Sequence, residues 1–316
     1  MDSSTADGGV TVIWNPQAGG GRSASRLGEL QAAIGARAGA ISWRIAPTLG
    51  AGCGADLAAA AAQSGSAIVA AAGGDGTCCE VLNGLMRASV PRPALAVLPM
   101  GTGNDFARTL GIGSLDHAAE TMFAGQRKRI DAGCVNGFWF LNAAGCGFDA
   151  VVAEGVRSMP RSLPGKWAYI FAAAVALPRF SPVTTVLVTE AERIETRCML
   201  CTVANARNYG GGMMIAPDAK VDDGELDICV LGEIGRIQFV RAFPSVFRGR
   251  HVNHPKVRMI RSATISITMN PVAPLLVDGD VIGTTPAQFS VVPKAIEVLA
   301  PQKPCATHGW RWPYNM

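Results

Sequence analysis

The chain has 316 residues, 49% of them hydrophobic and 16% charged, which supplies apolar material for two cores of ordinary size and excludes a largely disordered chain. Its formal net charge of +4 is too small for a nucleic-acid footprint and favours an anionic membrane surface only weakly. Nine cysteines, an odd number, cannot all pair internally and are expected as reduced thiols.

The opening Met1-Asp2-Ser3-Ser4-Thr5-Ala6-Asp7 has neither the basic nor the apolar region of a secretory signal, so a cytoplasmic protein is expected. Val10 to Trp14 reads as a strand, Ala24 to Ala38 as a helix, Ile41 to Ile45 as a strand and Ala55 to Ala62 as an Ala-rich helix. Ala67 to Ala72 follows as a buried strand, Glu80 to Met86 as a helix and Ala94 to Leu98 as a strand. Such alternation predicts parallel strands joined by helical crossovers, an α/β nucleotide-binding domain over 1–126.

From about residue 127 the pattern becomes paired strands: Ile130 to Val135, Phe138 to Ala144, Thr184 to Thr189, Cys198 to Val203, Leu226 to Leu231 and Ala263 to Thr268. Leu275 to Asp278, Phe289 to Val292 and Ile296 to Leu299 continue it, so 127–300 is expected to be mainly antiparallel β-sandwich with helical insertions at Leu163 to Leu177 and Ile237 to Phe247. The tail 301–316 is expected to pack back on the first domain. Trp167 to Leu177, the longest helix-like apolar stretch, ends at Pro178 and falls short of the roughly 20 residues that cross a bilayer. Cys198 and Cys201 form a lone C-x-x-C inside a strand pattern, and His251 and His254 stand without further ligands, so both pairs read as structural.

Three glycine-rich turns follow predicted strands of the first domain, where an open parallel sheet places its ligand. Asn15-Pro16-Gln17-Ala18-Gly19-Gly20-Gly21-Arg22 could aim backbone N–H groups at an anion, with Arg22 or Arg26 adding charge, or be a flexible turn before a helix. Gly73-Gly74-Asp75-Gly76-Thr77 makes little sense as packing and good sense as a phosphate loop; an Asp there would act through Mg²⁺ or its waters. Pro99-Met100-Gly101-Thr102-Gly103-Asn104-Asp105-Phe106-Ala107-Arg108 gathers four polar side chains, of which an N-cap explains one. No Gly-Lys-Ser/Thr follows any of these turns and no G-x-G-x-x-G follows the first strand, which disfavours P-loop and Rossmann readings.

These turns, in this order, resemble the signature turns of the diacylglycerol kinase catalytic-domain family, which includes bacterial diacylglycerol kinases, YegS-like lipid kinases and sphingosine and ceramide kinases. The resemblance continues through Asp131-Ala132-Gly133, Asn142 to Asp149, Tyr209 to Met213, Ala216-Pro217, Asp222 to Asp227 and Asp278-Gly279-Asp280. It implies an NAD-kinase-like and diacylglycerol-kinase-like fold with an ATP site in the cleft between an α/β and a β-rich domain. Asn15, Pro16, Gln17, Ala18, Gly19, Arg22, Thr48, Gly73, Gly74, Asp75, Gly76, Thr77, Cys78, Cys79, Gly101, Thr102 and Asn104 would then meet the nucleotide. Asp223 would bind a structural Mg²⁺ with the carbonyls of Lys220 and Glu225, though by itself Asp222-Asp223-Gly224 is equally an acidic turn before a strand.

The resemblance further implies γ-phosphoryl transfer from ATP to a hydroxyl of a membrane lipid, on a protein peripherally associated with the inner face of the membrane through apolar residues near Leu163 to Phe180. The family's last motif usually ends in Glu, the base for the acceptor hydroxyl, where this chain has Asp280. Asp keeps the carboxylate with a reach shorter by ~1.5 Å. Asp75 would organise a catalytic Mg²⁺ through water, and Asp75 and Asp105 stand next as candidate bases. Asp278-Gly279-Asp280 could also be a plain hairpin turn. Two rival readings are a soluble-substrate kinase of the NAD kinase kind and a nucleotide-binding regulator without catalysis.

Overall fold

The computed structural model describes residues 8–89, 91–157, 159, 165–303 and 305. The chain forms two compact units, one running to Arg129 and resuming at Ile296, the other spanning Ile130–Ala295.

In the first unit the elements follow as β1 (Val10–Trp14), α1 (Arg22–Ser25), α2 (Leu27–Ala38), β2 (Trp43–Pro47), α3 (Cys53–Gln63), β3 (Ile68–Gly73), α4 (Asp75–Arg87), β4 (Ala94–Pro99), α5 (Asp105–Thr109) and α6 (Leu115–Ala124). The strands are parallel in the order β4-β3-β1-β2. All of β4 and nearly all of β3 are buried, because helices cover both faces of a parallel sheet; hence the unbroken apolar runs in the sequence. The alanines of α3 let α4 come close: a Cβ on Gly84 would lie 2.1 Å from the Ala55 carbonyl oxygen. Across the same contact the Glu80 carboxylate accepts the Gly52 and Gly54 N–H groups, each at 2.8 Å, pairing donors that the start of a helix leaves open.

The strand expected over Ile41 to Ile45 lies at Trp43–Pro47, and helix boundaries differ from expectation too. The helix expected over Ala24 to Ala38 is two helices separated at Arg26, because left-handed Gly19, Gly20 and Gly21 start a helical turn already at Arg22. The helix expected from Glu80 starts at Asp75, so Asp75, Gly76 and Thr77 of the second glycine turn are already helix.

The second unit comprises β5 (Gln126–Val135), β6 (Phe138–Phe140), β7 (Ala143–Gly147), α7 (Phe148–Arg157), α8 (Gly165–Ala176), β8 (Val183–Thr189), β9 (Arg193–Ala204), β10 (Leu226–Gly232), α9 (Arg236–Ala242), β11 (Val257–Ser262), β12 (Thr264–Asn270), β13 (Pro274–Val277), β14 (Asp280–Thr284) and β15 (Ala287–Ala300). The chain passes from the first unit into the second along β5 and back along β15. Antiparallel pairing gives the order β14-β13-β7-β9-β8-β12-β15, with β10 also on β9 and carrying β11. Residues of α7, α8 and α9 share one apolar cluster, in which the Phe148 ring meets Phe180 and Phe239 edge to face.

The strand expected over Phe138 to Ala144 is broken at Leu141 and Asn142, the two strands expected beyond Phe289 are one, and β11 and β14 were not anticipated. Among the described residues no helix is long and apolar enough to cross a membrane. Of the expected tail, Cys305 donates its N–H to Gly111 O at 2.9 Å and Gln302 its side chain to Ala124 O at 3.2 Å; 306–316 lie outside the described residues.

Candidate active site

The three glycine turns meet at the carboxyl ends of β1, β3 and β4. Asn15 N–H bonds Ala72 O at 2.9 Å and Met100 N–H bonds Gly73 O at 2.9 Å, so each turn leaves the sheet in step with its neighbour. The second and third turns touch backbone to backbone: a Cβ on Gly101 would lie 2.3 Å from the Gly74 Cα. No residue with a side chain fits at 101, while a Cβ on Gly74 would lie 3.2 Å from the Gly101 Cα, tighter than ordinary contact. A Cβ on Gly73 would lie 2.3 Å from Thr77 Oγ1, and that hydroxyl accepts from Asn15 Nδ2 at 3.1 Å, tying the first turn to the second. Left-handed Gly19 lies against the Met100 carbonyl oxygen, 3.0 Å from where its Cβ would be.

The expected site residues divide into those that face outward and those that hold the turns. Gln17 and Arg22 are exposed, and Arg22 donates Nε–H to Gly19 O at 2.7 Å. Asn15, Pro16, Gly74, Asp75, Gly76, Gly101 and Thr102 are partly exposed. Ala18 and Thr48 are buried; Thr48 N–H bonds Trp14 O at 2.8 Å. Cys78 and Cys79 are buried within α4, and the Cys78 N–H is bonded to Gly74 O at 3.1 Å, so neither thiol faces outward. Asn104, at φ 52°, closes its own turn: Gly101 N–H donates to Asn104 Oδ1 and Asn104 Nδ2 to Gly101 O, both at 3.0 Å. Asp105 is buried and ion-paired to Arg108, so in this unit it anchors α5.

Asp75 heads α4, where N–H groups and the helix dipole favour an anion. One of its oxygens accepts the Phe106 N–H at 2.9 Å, binding the second turn to the third. A partly exposed carboxylate at a helix N-terminus fits contact with a hydrated Mg²⁺ carried by phosphates.

In the second unit the matched motifs converge on a polar seam. Buried Asp278 accepts three consecutive N–H groups, from Leu141 (2.7 Å), Asn142 (2.9 Å) and Ala143 (3.1 Å). Asn142 O accepts from the Asn205 and Ala206 N–H groups, while Asn205 Nδ2 donates to Asp131 O and Leu141 O. The fully buried Asp131 carboxylate accepts from Gly224 N–H at 2.7 Å and Lys294 N–H at 2.8 Å. Asp278 and Gly279 both have positive φ, and Val277 pairs with Asp280: a two-residue hairpin turn that delivers Asp280, exposed, as the first residue of β14. The organising roles of Asp278 and Asn205 were not anticipated.

At the expected metal position the Asp223 carboxylate is already engaged. Asp223 Oδ2 is ion-paired to Arg261 Nη2 and its Oδ1 accepts the Glu225 N–H at 3.2 Å, while Glu225 pairs with Arg261 Nη1 at 3.0 Å. The cation that Asp223 faces is a guanidinium, and a Mg²⁺ there would have to displace it.

Burial pushes Asp149 up to about 6, against the Thr202 hydroxyl (3.0 Å) and the Ala150 N–H (2.8 Å) that hold it down. Asp227 also reaches about 6 by burial, opposed by Arg261 and reinforced by Asp223, Glu225 and Asp218. A carboxyl whose folded pKa lies above its unfolded value near 3.9 gives most stability below pH ~4 and loses it as pH rises to ~6, at Asp149 about 3 kcal/mol. Asp149→Asn is therefore expected to flatten part of the fall in unfolding free energy between pH 4 and 6 and to leave the Asp227 part. Denaturant unfolding at stepped pH measures this, and an unchanged slope would clear Asp149 of it.

Residues 9–135 match the family model described as diacylglycerol kinase catalytic domain, and 142–300 the one described as YegS C-terminal NAD kinase beta sandwich-like domain. A Mycobacterium tuberculosis (strain CDC 1551 / Oshkosh) protein named diacylglycerol kinase is 35% identical over 78% of this chain and 81% of its own length. One of the same name from Bacillus subtilis (strain 168) is 33% identical over 75% and 78%. A solved structure described as a "putative diacylglycerol kinase from Bacillus anthracis str. Sterne" superposes with a TM-score of 0.76 at 25% identity, covering 93% of this chain and 98% of the other.

Proposed function

Because this chain belongs to the diacylglycerol kinase family and is a lipid kinase, we propose that it transfers the γ-phosphoryl group of ATP to a hydroxyl of a membrane lipid, with diacylglycerol the leading acceptor. The observation that carries this reading is the convergence of the three glycine turns, with Gly74 against Gly101. Side-chain-free backbone and a helix N-terminus suit a polyphosphate, and the transfer needs positioning and charge neutralisation more than a nucleophilic side chain.

The acceptor oxygen forms a bond to the γ-phosphorus as the bond from that phosphorus to the β,γ-bridging oxygen breaks, and ADP leaves. Asp280 takes the proton of the acceptor hydroxyl. Backbone N–H groups of the first unit's turns hold the phosphates, and Asp75 orients the hydrated Mg²⁺ that travels with ATP. That ion supplies neutralisation of phosphate charge.

For membrane contact, Phe171 (58% exposed) and Val175 stand four residues apart on α8, and α9 exposes Ile237 (71%) and Val240 beside exposed Arg236 and Arg241. Apolar side chains flanked by guanidinium groups suit an anionic lipid surface. Leu163 lies outside the described residues, as do the side chains of Trp167 and Tyr169.

Incubation with labelled ATP, NAD and a total lipid extract, followed by identification of the labelled product, tests the activity. Label on NAD in place of lipid, or ATP binding with no labelled product, would sink it. Phe171→Asp with Ile237→Asp is expected to weaken sedimentation with anionic vesicles about tenfold or more. Activity on detergent-dispersed lipid should survive, and vesicle binding at the wild-type level would remove these two helices from the contact.

A further inference from the structure

The acidic turn before β10 carries its own cation. Asp222, Asp223 and Glu225 lie within four residues, Asp227 follows on β10, and Asp218 and Lys220 precede them. Three nitrogens of Arg261 on β11 reach three different carboxylates: Nη2 meets Asp223, Nη1 lies 3.0 Å from Glu225 and Nε 3.4 Å from Asp227. Sheet register fixes this, since β10 and β11 pair antiparallel with Asp227 directly opposite Arg261. The turn is also held from beneath, where the Gly224 N–H enters the Asp131 carboxylate.

We propose that Arg261 is the resident cation of this turn, standing where the family resemblance implies a structural Mg²⁺, and that the second unit is folded and stable without divalent metal. Its guanidinium is permanently charged, and its fork of donors suits several carboxylates at once. Mg²⁺ demands near-octahedral oxygen ligation and sheds water reluctantly. At Asp223 it would find one oxygen engaged by Arg261 and the other by the Glu225 N–H. A doubly charged ion placed beside the guanidinium would also be repelled at short range. Any Mg²⁺ requirement of the enzyme then comes from the nucleotide alone. This inference is independent of which lipid accepts the phosphate.

The test is thermal unfolding of nucleotide-free protein in EDTA and in excess MgCl₂. Wild type is expected to unfold at the same temperature in both. Arg261→Gln, which leaves the carboxylates facing one another, is expected to unfold about 2–4 °C lower in EDTA and to be restored at least in part by MgCl₂. Adding Asp223→Asn to Arg261→Gln should abolish that restoration. A wild-type midpoint that rises with MgCl₂, with the rise lost in Asp223→Asn, would overturn the proposal and return the metal to the turn. So would an Arg261→Gln protein as stable in EDTA as wild type. The wild-type and Asp223→Asn measurements decide the question even if Arg261→Gln does not fold.

Discussion

Asp280→Asn is expected to lower kcat by about 10²–10⁴-fold with little change in the KM for ATP, the loss typical of a positioned general base. The substitution keeps the size of the side chain and removes the proton acceptor. The fold should survive it, because the hairpin is held by Asp278 and Gly279 and the Asp280 side chain is exposed. Asp280→Glu is the informative partner. The backbone position of residue 280 is set by its pairing with Val277. If that backbone has moved inward to serve a shorter acid, Glu will crowd the acceptor and slow the reaction; if not, it will restore or raise the rate. Steady-state kinetics on dispersed lipid decides between them, and full activity in Asp280→Asn would leave Asp75 as the next candidate base.

The largest loss of stability is expected at Asp278, which no substrate need touch. Asp278→Ala strips the acceptor from three consecutive N–H groups, all bonded within buried structure, and each buried donor left unpaired costs about 1–3 kcal/mol. It also places Ala at φ 44°, a left-handed conformation that disfavours a residue with a Cβ and no polar side chain. These effects overlap, and a total of about 3–5 kcal/mol is expected, a large part of ordinary domain stability. Asp278→Asn keeps one acceptor oxygen and tolerates the backbone angle, so it should recover roughly half. Urea unfolding followed by tryptophan fluorescence measures both, and an Asp278→Ala midpoint within error of wild type would refute the seam as a source of stability.

The same residue explains where sequence reading stopped. Strands β1, β3 and β4 were legible because burial on both faces leaves unbroken apolar runs closed by glycine or proline, and the glycine turns were legible for the same reason. The break between β6 and β7 was not, since Leu141 and Asn142 look like strand and leave it only because Asp278, 136 residues from Asn142, takes their N–H groups. β15 reads as two strands split at Pro293-Lys294, yet it is continuous: Lys294 turns to φ 53° and sends its N–H to Asp131. β14 is half exposed over Asp-Val-Ile-Gly-Thr and offers no alternation to detect. Of the candidate site, the positions that need glycine could be read directly. The contact of Gly74 with Gly101 and the hold of Arg261 on Asp223 depend on pairing across the sheet, which no local pattern encodes.

That long final strand also sets an order of events. Ala287 to Ser290 of β15 pair with β12, Lys294 reaches Asp131, and Val298 pairs with Leu95. During synthesis the chain leaves the ribosome from its amino end, so β4 and Asp131 emerge long before the partners that complete them. Both units therefore wait on the same stretch of about a dozen residues. Until it arrives, one edge of β4 and one buried carboxylate are unfinished, the state in which an apolar strand edge is most exposed to wrong partners.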